Sequence, residues 1–340
     1  ENMWWKPENF AQKRNNLLMR TRLIQAVRAY FDGRSFVEVE TPILQVSPVM
    51  DTHIHAVKAD IRGIDLKKER EMYLHTSPEF AMKKLLVAGM TDIYQICHVF
   101  RDAEGSRRHS PEFTMIEWYS AGKDYTHLMQ DCVEMVRFCA KKLDIRMLRF
   151  DGHACDPFQT WQKLSVADAF YEYASLNLNA YLGDKDMFAK DVKEKLGLHV
   201  AADDDWDDIF FRVMAEKIEP HLGMDVPTFL YDYPASMASL SRKKPSDPRY
   251  AERFELYICG LEICNAFSEL TDADEQRKRF VEEMTLKQRL YGEQYPIDED
   301  FLAALEYGYP ESAGNALGID RLAMLFADVD DIQDILWMSV

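Results

Sequence analysis

Residues 100–119, FRDAEGSRRHSPEFTMIEWY, bring together the side chains best suited to chemistry based on charge. Arg101 stands at the start, two arginines and a histidine follow in a short polar segment, and aromatic and acidic residues then alternate. Clustered cations can hold a small anion, because guanidinium groups match the geometry of phosphate and carboxylate. The alternative is an ordinary solvated surface, and the same two interpretations apply to Arg242, Lys243 and Lys244.

A second candidate group is Glu79, which follows Ser77 and Pro78. Serine is a good helix N-cap and proline is favoured at the first helical position, so these residues predict a helix that ends at Gly89. Glu79 then lies in the first turn. A carboxylate there can serve a site, or it can simply interact favourably with the helix dipole.

Metal chemistry based on cysteine or histidine is not indicated. The cysteines show neither CxxC pairs nor close spacing with histidines, so they predict reduced thiols rather than structural zinc. His53 and His55 form an isolated HxH pair, which is usually incidental.

Composition restricts the class of protein. The chain has 340 residues, of which 47% are hydrophobic, so a substantial core is expected and disorder is excluded. A formal net charge of −17 argues against the broad basic surface of an extended nucleic-acid binder. No signal peptide and no apolar run of membrane-spanning length is present, so we expect a cytoplasmic protein without membrane partners.

The residues that could take part in chemistry must be positioned by strands and helices. Apolar residues from Leu17 to Phe31 recur at helical spacing, and the alternation of residues 36–40 predicts a strand that stops before Pro42. Residues 93–101 and 113–119 predict an antiparallel hairpin. Its second strand places Glu117 on one face, together with Phe113, Met115 and Tyr119. That face is either a site or a half-solvated sheet surface.

The remaining chain continues this pattern. It predicts helix 126–142, a helix after the acidic residues 203–205, strand 228–233, a hairpin over 253–265 and a helix that follows residues 314–318. No regular βαβ repeat, linker or nucleotide-binding glycine loop occurs. We therefore predict a single α+β domain over residues 1–340, with an antiparallel sheet flanked by helices.

Four segments occur in an order that resembles a known family: VEVETP, FRDAEGSRRHSPEF, ERFELYICGLEICNAFSEL and GNALGIDR. Together they are similar to the signature motifs of class II aminoacyl-tRNA synthetases, and specifically to the lysyl-tRNA synthetase catalytic domain, from residue 14 onwards. The anticodon-binding barrel of those enzymes has no counterpart before the first helix. This layout resembles the synthetase paralogues that ligate (R)-β-lysine to a lysine side chain of elongation factor P.

The resemblance implies an ATP site that contains Mg²⁺. Arg101 matches the arginine that contacts the α-phosphate, Arg321 matches the one on the γ-phosphate, and Phe113 matches the ring that stacks on adenine. Glu255 and Glu262 match the acids that hold magnesium, a hard cation that prefers oxygen ligands. Without the arginines, these two acids would be ordinary exposed hairpin residues. The other implied ATP contacts are Asp102, Ala103, His109, Ser110, Ile263 and Gly318.

The resemblance also implies a pocket for lysine or β-lysine. An aliphatic substrate with an ammonium end needs an apolar wall and a desolvated carboxylate, and an unpaired buried charge makes such a pocket selective. The implied pocket residues are Ser77, Pro78, Glu79, Glu117, Tyr119, Asn265, Glu269 and Ala316.

Some positions depart from the synthetase pattern. Arg101 is followed by Asp102 and Ala103 where the family usually has Asn and Glu, with Glu104 displaced by one residue. Whether Asp102 or Glu104 supplies the missing contact is left open, because a shift of one residue on a strand reverses the side chain. Ala266 and Ala316 replace glycines of the synthetase pattern. An alanine at position 316 resembles the elongation factor P ligases rather than lysyl-tRNA synthetase.

The implied reaction is a two-step ligation in which an aminoacyl-adenylate forms and a protein lysine then attacks it. Arg101 and Arg321 are the expected catalytic residues. Elongation factor P is the expected partner, tRNA is not expected, and residues 36–42 match the motif that forms a homodimer interface. Two alternatives stay open: the same chemistry with tRNA or a small molecule as acceptor, and a synthetase-like regulatory subunit without turnover.

Overall fold

The structure is a computed structural model that describes residues 3–340. Its helices are α1 (Pro7–Phe10), α2 (Arg14–Gly33), α3 (Glu79–Val87), α4 (Tyr125–Lys142), α5 (Val166–Ala174), α6 (Lys185–Leu196), α7 (Trp206–Val213), α8 (Ala273–Tyr291), α9 (Glu299–Gly308) and α10 (Ile319–Ala327). Its strands are β1 (Val37–Glu38), β2 (Leu44–Gln45), β3 (Val57–Arg62), β4 (Lys68–Leu74), β5 (Asp92–Phe100), β6 (Glu112–Ala121), β7 (Leu148–Phe150), β8 (His153–Cys155), β9 (Gln162–Ser165), β10 (Thr228–Pro234), β11 (Tyr250–Ile258), β12 (Leu261–Ser268) and β13 (Ser312–Gly318).

The main sheet has eight strands in the order β1-β5-β6-β13-β12-β11-β10-β9. The central strands are antiparallel, as predicted, but both edge strands pair in parallel, β1 with β5 and β9 with β10. Parallel neighbours need a long crossover. The chain supplies one through β2, β3, β4 and α3, and another through α5, α6 and α7. The prediction of an antiparallel sheet is therefore correct for the centre and wrong for the two edges.

One face of this sheet is covered by α2, α4 and α10. Ile116 and Trp118 of β6 are fully buried there, in a cluster with Phe31, Leu128 and Leu322. Burying such side chains stabilises the fold by about 1.5–3 kcal/mol each. Because strand residues alternate, this packing directs Glu117 and Tyr119 to the opposite face.

The other face carries α3, α8 and α9, and a third hydrophobic cluster surrounds α5, α6 and α7 beside β10. The acidic residues 203–205 precede α7 as predicted: the Asp205 side chain accepts a hydrogen bond from the Asp208 amide, and the Asp205 amide donates to the Asp208 carboxylate, the reciprocal pair of a capping box. Throughout residues 3–340, every helix is too short or too polar to cross a bilayer.

Several predicted boundaries change. The strand predicted over residues 36–40 is only two residues long, Val37–Glu38. Helix α3 begins at Glu79, so Pro78 is the N-cap residue rather than the first helical residue. The basic cluster at residues 242–244 forms ion pairs, since Arg242 lies 2.6 Å from Glu252 and Lys244 lies 2.5 Å from Asp232.

Candidate active site

A cavity of about 300 Å³ lies between β6, the β11–β12 hairpin, β13 and the loop that joins β5 to β6. Arg101 and Arg321, 220 residues apart in the chain, both line it. We call it the nucleotide cavity. Its other lining residues that the sequence singled out are His109, Ser110, Phe113, Glu255, Glu262, Ile263, Asn265, Ala316 and Gly318.

Arg101 follows β5 directly and is held at the base of this cavity. Its Nη2 donates to the Thr76 carbonyl over 3.4 Å, and its guanidinium lies 5.2 Å from the centre of the Phe113 ring. Its buried Nε has no acceptor among residues 3–340. Burial lowers the pKa of Arg101, but a guanidinium stays protonated in proteins. An unpaired donor on a buried cation is well suited to bind an anion.

Arg321 lies in the first turn of α10 and connects two separate segments. Its Nη1 donates to the Glu262 carbonyl over 2.9 Å, and its Nη2 lies 2.8 Å from Nε2 of His109. Burial and the adjacent Arg321 lower the pKa of His109, so the neutral ring accepts this hydrogen bond. The loop that carries His109 is thereby attached to the helix that carries Arg321.

A buried ion pair fixes the beginning of α10. Arg20 of α2 pairs with Asp320 and donates to Oγ1 of Thr114 over 3.0 Å. Asp320 also accepts from the Thr114 amide over 2.7 Å. Helices α2 and α10 and strand β6 are therefore joined at the residue that precedes Arg321.

The carboxylates Glu255 and Glu262 form the acidic side of the cavity. Glu255 lies 2.8 Å from Arg253 and accepts from the Tyr257 hydroxyl over 2.7 Å. Glu262 has no ion pair or side-chain hydrogen bond within residues 3–340, and burial, then repulsion from Glu255, raises its pKa to about 7. A cation near Glu262 would relieve this repulsion.

A β-bulge selects which residue of β12 joins these acids. Tyr257 lies opposite Glu262, but the register then shifts, so Glu255 lies opposite Asn265 rather than Cys264. Cys264 consequently packs in the core. Without the extra residue, Cys264 would lie opposite Glu255 in place of Asn265.

Next to the nucleotide cavity lies a buried group of charges, formed by Glu79, Lys83, Glu117 and Glu269, which we call the acidic slot. Lys83 is 1% exposed and lies 2.5 Å from Glu79 and 2.6 Å from Glu269. Glu117 accepts from Ser77 over 2.5 Å and from the Tyr119 hydroxyl over 2.7 Å. The slot thus contains three carboxylates and one ammonium group, and two of the carboxylates contact that ammonium directly.

The excess of carboxylates changes their ionisation. Burial, then repulsion from Glu79, raises the pKa of Glu117 to about 7. Burial raises the pKa of Glu269 to about 8, although Lys83 opposes this shift. Burial acts against the charge of Lys83, yet Glu269 and Glu79 raise its pKa above the usual value. With every group ionised, the slot has a formal charge of −2, so it favours added positive charge.

Gly314 allows the slot to close around its carboxylates. A Cβ on this residue would lie 2.2 Å from Cε1 of Tyr119 and 2.6 Å from Oε1 of Glu269. Both are far inside van der Waals contact. Strand β13 can therefore approach Tyr119 only with glycine at this position.

The profile of the family described as tRNA synthetases class II (D, K and N) matches residues 8–338. The chain belongs to this class II tRNA synthetase family. Among its relatives, a protein of Pectobacterium carotovorum subsp. carotovorum named "Elongation factor P--(R)-beta-lysine ligase" is 39% identical over 96% of this chain and 95% of its own. Proteins with the same name in Proteus mirabilis and Avibacterium paragallinarum are 38% and 37% identical, over 96% and 99% of this chain and 95% and 98% of their own.

This family membership confirms the predicted fold class and the predicted resemblance. The structure also distinguishes Asp102 from Glu104, the two residues after Arg101 between which the sequence could not decide. Asp102 and Ala103 are exposed and do not line the nucleotide cavity, whereas Glu104 does. Ala103 has a φ of 58°, in the left-handed region, and this turn directs the next side chain inward.

The two alanines that replace family glycines point in different directions. Ala316 lines the nucleotide cavity, but Ala266 is fully buried in the core beneath the sheet. The methyl group of Ala266 therefore points into the core rather than towards the cavity. His53 and His55 contact Tyr291 and Glu293, which supports the interpretation of the HxH pair as incidental.

Two residues that organise the acidic slot and the nucleotide cavity, Lys83 and Arg253, were not predicted from the sequence. Lys83 is four residues after Glu79, a spacing that brings helical side chains together and could have indicated the ion pair. Arg253 is two residues before Glu255 and so shares its strand face. Its guanidinium donates to Asn265 over 2.9 Å and to the Met237 carbonyl over 2.7 Å.

Proposed function

We propose that this class II family protein uses ATP to activate (R)-β-lysine, or lysine, and transfers it to a lysine side chain of elongation factor P. The names of its relatives support the substrate and the acceptor, because these proteins are 37–39% identical over nearly the whole chain. The observation on which the proposal rests is that Arg101 and Arg321 line one cavity beside the acidic slot.

In the first step, the substrate carboxylate attacks the α-phosphorus of ATP and pyrophosphate leaves with the bonding electron pair. The carboxylate is already ionised, so no general base is needed. Arg101 is proposed on the α-phosphate and Arg321 on the γ-phosphate, while Phe113 stacks on adenine and His109, Ser110, Ile263 and Gly318 enclose the nucleotide. Holding both reactants in attack geometry can supply roughly 7–11 kcal/mol of the barrier.

A magnesium ion is proposed between Glu262, Glu255 and the phosphates. Within residues 3–340, no group of three or more acidic, histidine or cysteine side chains is arranged to hold a metal alone. Two carboxylates plus phosphate oxygens suit a hard cation that normally takes few protein ligands. When bound, Mg²⁺ would neutralise charge that develops on the phosphates.

The acidic slot is proposed to select a diamino acid. Its formal charge of −2 matches the two ammonium groups of lysine or β-lysine, while Arg101 provides a positive charge for the carboxylate. Glu269 and Tyr119 are proposed at the far ammonium, with Glu117 in support. Ser77, Pro78, Glu79, Asn265 and Ala316 are proposed around the near amino group and the backbone of the substrate.

In the second step, the amine of the acceptor lysine attacks the acyl carbon and AMP leaves. The net charge of −17 favours a protein acceptor over tRNA, because a polyanion would be repelled by most of the surface. A homodimer is proposed through residues 37–46, where the apolar side chains of Val37, Ile43, Leu44 and Val46 are 37–51% exposed.

The test separates the two steps. Exchange of labelled pyrophosphate into ATP should depend on (R)-β-lysine, and mass spectrometry should then detect the mass of one lysyl group on a lysine of elongation factor P. Parallel reactions with lysine isomers and with tRNA identify the preferred substrates. Absence of exchange with every diamino acid would indicate the alternative of a non-catalytic subunit. Exchange followed by charging of tRNA alone would disprove the proposed acceptor.

A further inference from the structure

A second cavity, of about 610 Å³, opens beside the nucleotide cavity. We call it the side cavity. Arg253 and Asn265 line both cavities. A group in the side cavity can therefore approach the place where the activated acyl carbon is proposed to lie without crossing the nucleotide.

Arg253 forms a fixed wall between the two spaces. Its guanidinium is held by Glu255, Asn265 and the Met237 carbonyl at distances of 2.7–2.9 Å. It also lies 4.2 Å from the centre of the Tyr233 ring. A side chain with all these contacts keeps its position between the two cavities.

The charges of the side cavity favour a cation. Six carboxylates and four basic side chains line it. Three of the basic groups are already paired, because Arg253 contacts Glu255, Arg279 lies 2.6 Å from Glu275 and Lys278 lies 4.0 Å from Glu282. Four of the six carboxylates then remain, against Lys243 alone. Asp207 has no partner within residues 3–340, and burial, then repulsion from Asp205 and Glu283, raises its pKa to about 7.

An unpaired polar group also points to a ligand. Gln276 of α8 lines the side cavity and is 1% exposed, yet its Nε2 has no acceptor among residues 3–340. A buried amide without a partner destabilises the protein unless a ligand or water satisfies it. A peptide carbonyl that entered the cavity would satisfy this donor, whereas an amine would be attracted by Asp207 and Glu283.

We infer that the side cavity receives the lysine-bearing loop of the protein acceptor, with Asp207 and Glu283 guiding the ammonium group and Gln276 binding the loop backbone. This inference rests on the proposed ligase function. In this step, the ammonium group loses one proton to a carboxylate, and its nitrogen attacks the acyl carbon and forms the C–N bond. The acyl C–O bond breaks, AMP leaves with the electron pair, and the nitrogen releases its second proton to water.

The helices between β9 and β10 contribute to the side cavity through Asp207. Asp207 is the second residue of α7, in the first turn, while Glu283 and Gln276 belong to α8. The long parallel crossover thus supplies one wall of the proposed acceptor channel.

The test compares Asp207→Asn with the matched control Asp186→Asn, which removes a carboxylate at the same helix position of α6, outside the side cavity. Pyrophosphate exchange is measured first, and transfer to elongation factor P is then measured at varied acceptor concentration. We expect the KM for elongation factor P to rise at least about fivefold in Asp207→Asn. Exchange should remain at the wild-type rate, and the control should change neither measurement.

Two further variants, Glu283→Gln and Gln276→Leu, test the same channel in case Asp207→Asn does not fold. Each should raise the KM for the acceptor while keeping wild-type exchange. Wild-type transfer kinetics in all folded variants would overturn the acceptor channel and leave the ligase function intact. Loss of exchange in the wild-type protein itself would instead disprove the proposed function.

Discussion

The nucleotide cavity and the acidic slot use charge in opposite ways. In the nucleotide cavity, cations and carboxylates line an open space of about 300 Å³, and Arg321 is held by a loop histidine and a hairpin carbonyl. In the acidic slot, Lys83 is 1% exposed and is enclosed by carboxylates on α3 and beyond the end of β12. The first region is lined by strands, a helix and the β5–β6 loop around an open space, whereas the second is enclosed by packed elements.

This difference indicates which part of the substrate each region discriminates. A triphosphate is large and strongly charged, so an open site with a few fixed cations can hold it. An ammonium group is small, and only a desolvated slot with unbalanced charge distinguishes it from a neutral end. In the proposed function, the buried slot would therefore provide selectivity, while the open cavity would stabilise the reacting phosphates.

The largest effect is expected from Arg101→Ala. Removing one preorganised donor from the reacting phosphate should lower the rate of adenylate formation by at least about a hundredfold. Pyrophosphate exchange measures it, with the exposed loop variant Arg107→Ala as the control. A rate within a few-fold of wild type would remove Arg101 from the centre of the nucleotide cavity.

A smaller loss is expected from Glu269→Gln, which removes one carboxylate of the acidic slot. The slot then has less excess negative charge, so kcat/KM for (R)-β-lysine in the exchange reaction should fall about 30-fold, or ~2 kcal/mol. The KM for ATP should stay unchanged, because Glu269 does not line the nucleotide cavity. Equal effects on both substrates would show that the two regions are not separate.

Gly314→Ala tests the shape of the slot rather than its charge. The added methyl group would overlap the Tyr119 ring, so we expect the free energy of unfolding to fall by about 1–3 kcal/mol. Chemical denaturation measures this change. Gly33→Ala is the control, because a Cβ there meets no atom within 4 Å. Equal stability of the two variants would mean that β13 does not approach Tyr119 as described.

The smallest effect is expected from pH. Glu117 and Glu262 have pKa values raised to about 7, so they become protonated as pH falls below neutrality. The affinities for diamino acid and Mg²⁺ should each fall by at most about tenfold per pH unit below 7, since a carboxyl group must lose its proton to bind a cation. Exchange assays from pH 8 to pH 6 measure both affinities.

The stability of the free protein should respond to pH in the opposite sense. A carboxyl group whose folded pKa is above its unfolded value binds more protons in the folded state between those two values. The contribution of Glu117 and Glu262 to stability therefore increases as pH falls from about 7 towards the unfolded pKa near 4.5. A parallel loss of stability and activity over this range would contradict the assignment of these pKa shifts.

Much of the fold could be predicted from local patterns. The hairpin of β5 and β6, the alternation that separates Glu117 from Trp118, and the helix from residue 126 all follow from periodicity and are confirmed. Edge pairing could not be predicted, because local sequence carries no signal for which distant strand lies beside β1 or β9. The two-residue length of β1 could not be predicted either, because the length of a strand depends on how far its distant partner pairs with it.

Candidate site residues could be predicted from the sequence where they belong to one of the recognised motifs. Motif spacing indicated Arg101, Arg321, Glu255 and Glu262, all of which line one cavity. Asp102 and Ala103 were expected there, but the left-handed conformation of Ala103 turns them away. Such a local reversal depends on how the loop closes, which composition does not reveal.

The sequence alone determined the alternation of faces on each strand, the order of the motifs and the surplus of acidic residues, because these are properties of neighbouring residues. Only the tertiary structure decided that Lys83 neutralises part of the slot and that Asn265 lies opposite Glu255. It alone brought Asp207 and Glu283 to one cavity. The physical reason is that burial and proximity set the cost of each charge, and both depend on residues far apart in the chain.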